Sequence, residues 1–173
     1  MQGSTTGFNK DLQDKVAKAL VTKQQTIAVA ESVTAGNLQT ALSLPEGASL
    51  FFQGGLTTYN ITQKVRHLDV YPVHALACNC VSEQVAKEMA CNVSNLFKAD
   101  WGIGITGYAA PLPEKAINEL FACYAIFFNE KCVITGTVKA EMASPLEVRY
   151  FYTNHVLEQL CKALRKPVGK KTT

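Results

Sequence analysis

The chain has 173 residues, of which 47% are hydrophobic and 18% are charged. This composition fits one compact globular domain with a full core and excludes a disordered chain. The net charge is +3, and no dense basic stripe precedes the last ten residues, so charge does not indicate nucleic-acid binding. We expect a single domain over residues 1–173, with flexible ends at about 1–9 and 166–173.

The six cysteines do not form the pattern of a metal site or a disulfide framework. No two of them have CxxC spacing, and the three histidines are scattered, so we predict no metal site. Cys78 and Cys80 form a CNC triplet, for which a redox pair and chance proximity both stay open. No signal peptide or apolar run of membrane-spanning length is visible, so we expect a cytoplasmic protein with no membrane contact.

The first half of the chain alternates helical and strand patterns. Apolar residues at helical spacing predict a helix from Asp11, and the apolar run TIAVA, ending at Ala30, predicts a buried strand. The segment ESVTAGNLQTALSL follows, in which hydroxylated residues and a glycine precede a second helix. Such a strand–loop–helix junction exposes backbone N–H groups and suits anion binding. Alternatively, Ser32 or Thr34 simply caps that helix.

The next segment, GASLFFQGGLTTYNITQK, runs from Gly47 to Lys64 and changes character halfway. Its aromatic and β-branched middle predicts a strand, and Asn60 is typical of a helix cap. Ser49 precedes this strand, and Lys64 follows it together with Tyr59. The serine and the lysine could form a nucleophile–base pair only if the segment folds back over the strand's carboxyl end.

The second half predicts a helix, a strand, a hairpin and a last helix. Ser82 caps a helix that runs to about Phe97, and ADWGIGITG then predicts a strand ending in a Thr-Gly turn. LFACYAIFF and CVITGTVKA form a hairpin across a polar connection, and Ser144 begins the last helix. Helices interleaved with strands, plus one antiparallel hairpin, predict an α/β fold, a three-layer α/β/α sandwich around a mixed β-sheet.

Two predicted loops, ESVTAG and TGYAAP, lie at the carboxyl ends of strands, where ligands bind in open α/β sheets. Together with GASLFFQGGLTTYNITQK, they resemble the CinA C-terminal domain family in both motif and order. The resemblance covers nearly the whole chain, from the first helix to the last. It implies the family's α/β fold and, by analogy, a homo-oligomer.

The enzymes of that family are nicotinamide-nucleotide amidases, so the resemblance implies deamidation of nicotinamide mononucleotide to its acid, with release of ammonia and without a cofactor. It assigns catalysis to Ser49 as nucleophile, Lys64 as base and Tyr59 as proton relay. It also implies a set of substrate-binding residues: Ser32, Thr34, Gly36, Thr106, Gly107 and Arg149.

Catalysis by Lys64 requires a neutral amine. Its ordinary pKa of about 10.4 would have to fall to roughly 7–8, and only burial or a neighbouring cation supplies such a shift. The alternative is a divergent, inactive member that binds a nucleotide or serves as a structural or interaction protein. It is favoured by Leu112 and Pro113, which replace glycines of the family's loop, and by Ser144-Pro145, which replaces an acidic–arginine pair.

Overall fold

The computed structural model describes residues 7–141 and 143–165. The predicted flexible ends therefore lie largely outside the described residues. Phe8 and Asn9 fall within the expected flexible stretch, but they pack against the last helix. The Phe8 ring contacts Tyr150 at 5.0 Å between centroids, and the Asn9 amide donates to Asn154 Oδ1 at 2.8 Å.

Six α-helices and five β-strands make up the described part of the chain. The helices are α1 (Lys10–Lys23), α2 (Asn37–Ser43), α3 (Ile61–Leu68), α4 (Pro72–Ala77), α5 (Glu83–Phe97) and α6 (Pro145–Arg165). The strands are β1 (Ile27–Glu31), β2 (Phe52–Thr57), β3 (Trp101–Gly107), β4 (Leu120–Phe128) and β5 (Lys131–Ala140). Short 3-10 turns occupy Ala48–Leu50 and Pro113–Lys115. Helix α4 was not predicted, because a helix of six residues is too short to show a helical period in the sequence. Pro72 does suit the first position of a helix.

The five strands form one mixed sheet in the order β2-β1-β3-β4-β5. Strands β2, β1 and β3 are parallel, whereas β4 and β5 are antiparallel and form the predicted hairpin. The carboxyl ends of β1, β2 and β3 therefore meet at one edge of the sheet. This edge carries the residues discussed below.

Helices cover both faces of the sheet, which confirms the predicted three-layer architecture. On one face, Ile27 and Val29 of β1 pack into the core cluster that contains residues of α1, α2 and α6. On the other face, Ala28 and Ala30 pack against residues of α3, α4 and α5. The alternation along β1 follows from the two-residue period of a strand, and both faces are apolar because both are covered.

Glycines in β3 allow α5 to lie directly on the sheet. A Cβ placed on Gly102 would come within 2.1 Å of the Ala90 carbonyl oxygen, and one on Gly104 within 2.2 Å of the Ala86 carbonyl oxygen. These separations are far shorter than any van der Waals contact. The helix backbone therefore occupies the space that side chains at these two positions would need.

Candidate functional site

Lys64 is a buried lysine at the carboxyl edge of the sheet. Asn60 caps α3 by accepting from the Gln63 amide, and this cap fixes the first turn of the helix that carries Lys64. The Lys64 side chain is only 1% exposed. Its Nζ donates to Ser32 Oγ and to the Thr58 carbonyl oxygen, each at 2.8 Å.

Ser32 follows the last residue of β1 and is held by the neighbouring strand. Its amide donates to the Ile105 carbonyl oxygen of β3 at 3.0 Å, so the sheet register continues one residue beyond β1. Its side chain is buried and directed at Lys64. A hydroxyl and an amine in hydrogen-bond contact have the geometry of a Ser-Lys nucleophile–base pair.

The pair lies in the wall of a cavity of about 430 Å³. Its walls come from the ends of β1 and β3, from α3 and α4, from the α4–α5 connection and from the loop after β3. Its lining includes Ser32, Val33, Tyr59, Asn60, Lys64, Leu76, Asn79, Cys80, Thr106, Gly107, Tyr108, Leu112 and Lys115. A cavity of several hundred cubic ångströms is typical of sites for small organic ligands.

Burial lowers the pKa of Lys64, and the nearby Cys80 opposes part of this shift. The physical cause is the loss of hydration, which disfavours the ammonium form. The two hydrogen-bond partners of Lys64 are neutral, and neither the hydroxyl nor the carbonyl offsets desolvation as a carboxylate would. Burial therefore shifts Lys64 toward the neutral amine, the form that a general base requires.

The predicted pairing of Ser49 with Lys64 is wrong. Ser49 lies in the exposed 3-10 turn before β2, whereas Lys64 lies in the helix after β2. The Ile27 amide at the start of β1 donates to the Phe51 carbonyl oxygen, so this turn is at the amino edge of the sheet. A six-residue strand, roughly 20 Å long, therefore separates the two side chains, and Ser32 takes the position next to Lys64.

The amides at the start of α2 are not available to an anion. The Glu31 carboxylate, which is fully buried, accepts from the backbone N–H groups of Gly36, Leu38 and Gln39 at 2.8–3.1 Å. The N-terminus of α2 is therefore already occupied by a carboxylate of the same chain. The prediction that Gly36 binds substrate is wrong, because its amide donates to Glu31 and because Gly36 does not line the cavity.

The other predicted binding residues are divided between the cavity and its surroundings. Thr106 and Gly107 line the cavity, and Thr106 Oγ1 donates to the Cys80 carbonyl oxygen at 2.8 Å. Thr34 is fully buried outside the lining, and its hydroxyl has no partner among the described residues. Arg149 is also outside the lining.

Tyr59 links the cavity to the last helix. Its ring lines the cavity, but its side chain is 64% exposed. Its hydroxyl accepts from Arg149 Nη2 at 3.5 Å, a long hydrogen bond across 90 positions of the chain. Its only hydroxyl hydrogen bond within the described ranges is with Arg149, whereas Lys64 contacts Ser32 and Thr58 directly, so the structure does not place Tyr59 as the predicted relay to Lys64.

Sequence reasoning missed three residues of the cavity lining, Asn79, Cys80 and Lys115, and also the buried Glu31 that precedes Ser32. Asn79 and Cys80 were visible as part of the CNC triplet, but α4, which brings them to the cavity, was not predicted. Glu31 could have been found, because it is the one acidic residue at the end of an apolar strand. A carboxylate buried at such a position requires several hydrogen-bond donors. Lys115 carried no signal, because its loop has no period and its position depends on tertiary contacts.

A family model for the CinA C-terminal domain matches residues 9–164, and the chain therefore belongs to this family. A CinA-like protein from Picosynechococcus sp. is 41% identical over 152 residues, which cover 87% of this chain and 36% of that protein. A CinA-like protein from Thermosynechococcus vestitus is 44% identical over 106 residues, or 61% of this chain and 26% of that protein. The chain thus spans well under half the length of the curated relatives it matches.

Solved structures share the same fold. The crystal structure of a competence or damage-inducible protein from Enterobacter asburiae superposes with a TM-score of 0.81 at 29% identity, covering 89% of this chain and 96% of that one. A CinA superfamily protein from Enterobacter cloacae superposes with a TM-score of 0.82 at 29% identity, covering 92% and 94%. These likenesses agree with the predicted family and its α/β architecture.

The described residues contain neither a membrane-spanning helix nor a metal-binding group of side chains. Between residues 7 and 165, leaving out position 142, no helix is long and apolar enough to cross a membrane. Within the same ranges, no three His, Cys, Asp or Glu side chains come together in a group that could hold a metal ion. All six cysteines are free thiols.

Proposed function

We propose that this protein is an amidohydrolase that converts nicotinamide mononucleotide to nicotinic acid mononucleotide and ammonia. The observation that carries the proposal is the 2.8 Å contact between Lys64 Nζ and Ser32 Oγ in the wall of the cavity. Family membership supports the substrate, because the resemblance implies nicotinamide-nucleotide amidase activity. Burial of Lys64 supports the mechanism, because it lowers the pKa of the amine that must act as base.

In the proposed acylation step, Ser32 Oγ attacks the carboxamide carbon and Lys64 Nζ takes the hydroxyl proton. The resulting tetrahedral intermediate collapses when Lys64 returns that proton to the leaving nitrogen, and ammonia departs. The C–N bond breaks as the Ser32 ester remains. Water then attacks this ester with Lys64 again as base, which releases the carboxylic acid and restores the serine.

The developing oxyanion needs N–H donors close to Ser32. Val33 follows the nucleophile directly and lines the cavity. Its amide has no backbone acceptor within the described ranges, whereas the Ser32 amide is already bonded to β3. The Val33 amide is therefore the backbone donor that we assign to the oxyanion. One preorganised donor of this kind contributes roughly 10²–10³-fold in kcat.

The test is ammonia release from nicotinamide mononucleotide by the wild type and by three variants. Ser32→Ala and Lys64→Met should each lower kcat by about 10³-fold or more, because the nucleophile and its base act as a unit. Ser49→Ala is the matched control, since it removes an exposed hydroxyl at the opposite sheet edge. Full activity of Ser32→Ala, or loss in Ser49→Ala alone, would contradict the assignment. Nucleotide binding without ammonia release by the wild type would instead support the inactive, binding-only alternative.

The proposal includes a cytoplasmic location and a homo-oligomeric assembly. The six free thiols support a reducing compartment, where cysteines persist unpaired. The oligomer rests on the family resemblance. Light scattering of the purified chain, which would give a mass at a multiple of 18.8 kDa, tests it directly.

A further inference from the structure

The cavity carries positive charge without compensating carboxylates. Its lining includes two lysines, Lys64 and Lys115, and no aspartate or glutamate. The remaining lining residues are neutral. Such a lining favours an anionic ligand, because a bound anion would find cations and hydrogen-bond donors but no like charge.

Lys64 does not supply that countercharge in the proposed function. Two of its donor positions are already used by Ser32 and the Thr58 carbonyl, and its role as base requires the neutral amine. Since desolvation disfavours its ammonium form, Lys64 cannot serve at once as the base and as a permanent cation. The countercharge must come from elsewhere in the cavity lining.

Lys115 is free of any carboxylate within the described ranges. Its Nζ donates to Asn79 Oδ1 at 2.6 Å, which leaves further donor capacity on the ammonium. The Asn79 amide is neutral, so it orients the ammonium without neutralising it. Asn79 Nδ2 donates in turn to the Tyr108 hydroxyl at 3.0 Å, which connects three residues of the cavity lining.

The loop that carries Lys115 has a defined structure. Leu112 and Ile117 exchange two backbone hydrogen bonds at 2.9 and 3.1 Å, and these close a tight turn around Pro113–Lys115. At the start of the loop, the Tyr108 carbonyl oxygen accepts from the buried Tyr152 hydroxyl at 3.0 Å. The lysine is therefore presented at the cavity by a closed turn, and α6 anchors the start of the loop at Tyr108.

We infer that Lys115 binds the phosphate of the substrate and thereby selects phosphorylated nucleotides over uncharged nucleosides. This inference rests on the proposed function, and it assigns to Lys115 a specificity role in substrate binding rather than in bond cleavage. On arrival, the phosphate forms an ion pair with the ammonium while Asn79 continues to orient it. An ammonium–phosphate hydrogen bond is charge-assisted, so it is stronger than the bond to the neutral amide.

The experiment compares nicotinamide mononucleotide with nicotinamide riboside, which carries the same carboxamide but no phosphate. For each protein, the measured quantity is the ratio of the two kcat/KM values for ammonia release. Lys115→Met should lower this ratio by about 10–100-fold, mainly through a higher KM for the mononucleotide, because one charge-assisted contact is lost. Lys115→Arg should restore most of the ratio. Lys131→Met, which removes an exposed charge at the far end of the hairpin, is the matched control.

A second variant tests the same idea without removing the lysine. Asn79→Asp places a carboxylate where the amide oxygen now contacts Lys115, so the ammonium would be neutralised internally. We expect the same fall in the ratio and a weaker dependence of KM on salt, since a neutralised site attracts the dianion less. An unchanged ratio in both Lys115→Met and Asn79→Asp would overturn the inference.

A binding measurement separates this inference from the proposed catalysis. If the wild type releases no ammonia, calorimetric titration with nicotinamide mononucleotide replaces the rate. Weaker binding by Lys115→Met but not by Ser32→Ala would support the phosphate contact even though the amidase proposal had failed. Equal binding by wild type and Lys115→Met, or no binding by the wild type, would overturn the inference.

Discussion

Lys64 Nζ and Ser32 Oγ lie 2.8 Å apart although 32 positions separate the two residues in the chain. They meet because β1 and β2 are parallel neighbours, so the residues that follow each strand reach the same sheet edge. Ser32 follows β1 directly, and Lys64 lies on the first turn of α3 after β2. This contact determines which serine is proposed as nucleophile and which pH dependence is expected.

The rate of ammonia release should rise with pH in the range where Lys64 loses its proton. Since burial lowers the pKa of Lys64, the acid limb of kcat/KM should have an apparent pKa below the ordinary value of about 10.4. Above that apparent pKa the rate should level off. The measurement is kcat/KM from pH 5 to 10 at constant ionic strength. A flat profile, or a limb typical of a carboxylate near pH 4–5, would contradict Lys64 as base.

Lys64 should also make the stability of the protein depend on pH. Its folded-state pKa lies below the unfolded value, so the unfolded chain binds more protons between the two values. The free energy of unfolding contributed by Lys64 should therefore rise as pH increases through that window and level off above about 10.4. Urea denaturation of the wild type and of Lys64→Met should show this as a growing difference in favour of the wild type. A difference independent of pH from 7 to 10 would show that the pKa is not lowered.

Replacement of Glu31 by glutamine should destabilise the start of α2. The carboxylate is fully buried and accepts hydrogen bonds from three backbone N–H groups. The shortest of these bonds, at 2.8 Å, comes from the Gln39 amide. An amide has one oxygen to accept these bonds, and its NH₂ group would face donors. We expect the free energy of unfolding to fall by about 2–4 kcal/mol in urea denaturation. Glu46→Gln, at an exposed position, is the control and should change it by less than about 0.5 kcal/mol.

Substitution of Gly104 by alanine should push α5 away from the sheet. The added Cβ would lie 2.2 Å from the Ala86 carbonyl oxygen, and a helix backbone cannot move aside as a flexible side chain can. Thermal or urea denaturation should show a loss of about 1–3 kcal/mol or more. Gly7→Ala is the matched control, because no atom lies within 4 Å of the Cβ that it adds. Equal stability of the two variants would contradict this account of the packing.

Two substitutions of Tyr59 distinguish a role of its ring in substrate binding from a role of its hydroxyl in proton transfer. The hydroxyl touches Arg149 rather than the Ser32–Lys64 pair, so Tyr59→Phe should keep kcat within about threefold of wild type. Tyr59→Ala removes the ring from the cavity lining and should raise KM by about 10-fold, as expected for loss of an aromatic contact surface of this size. Steady-state kinetics on nicotinamide mononucleotide tests both. A loss of 100-fold in kcat for Tyr59→Phe would restore the proton-relay role.

Local sequence patterns are sufficient to predict the layers of the fold and one half of the candidate site. The apolar run of β1, the periodic faces of α1, α5 and α6, and the β4–β5 hairpin are local patterns, because each element must bury its own apolar surface. Lys64 was identified correctly as a residue at a strand's carboxyl end. Its role as base depends on burial, and the structure buries Lys64 beside Ser32 rather than beside Ser49.

The serine that Lys64 contacts depends on the strand order of the sheet. Ser49 is nearer to Lys64 along the chain, but an extended strand separates chain neighbours and carries them to opposite edges of the sheet. Ser32 is twice as far away in sequence, yet parallel pairing of β1 with β2 brings it into contact. The position of Lys115 depends in the same way on Asn79, 36 positions earlier in the chain. Local periodicity cannot encode such contacts, because they follow from strand order and direction, which no single segment specifies.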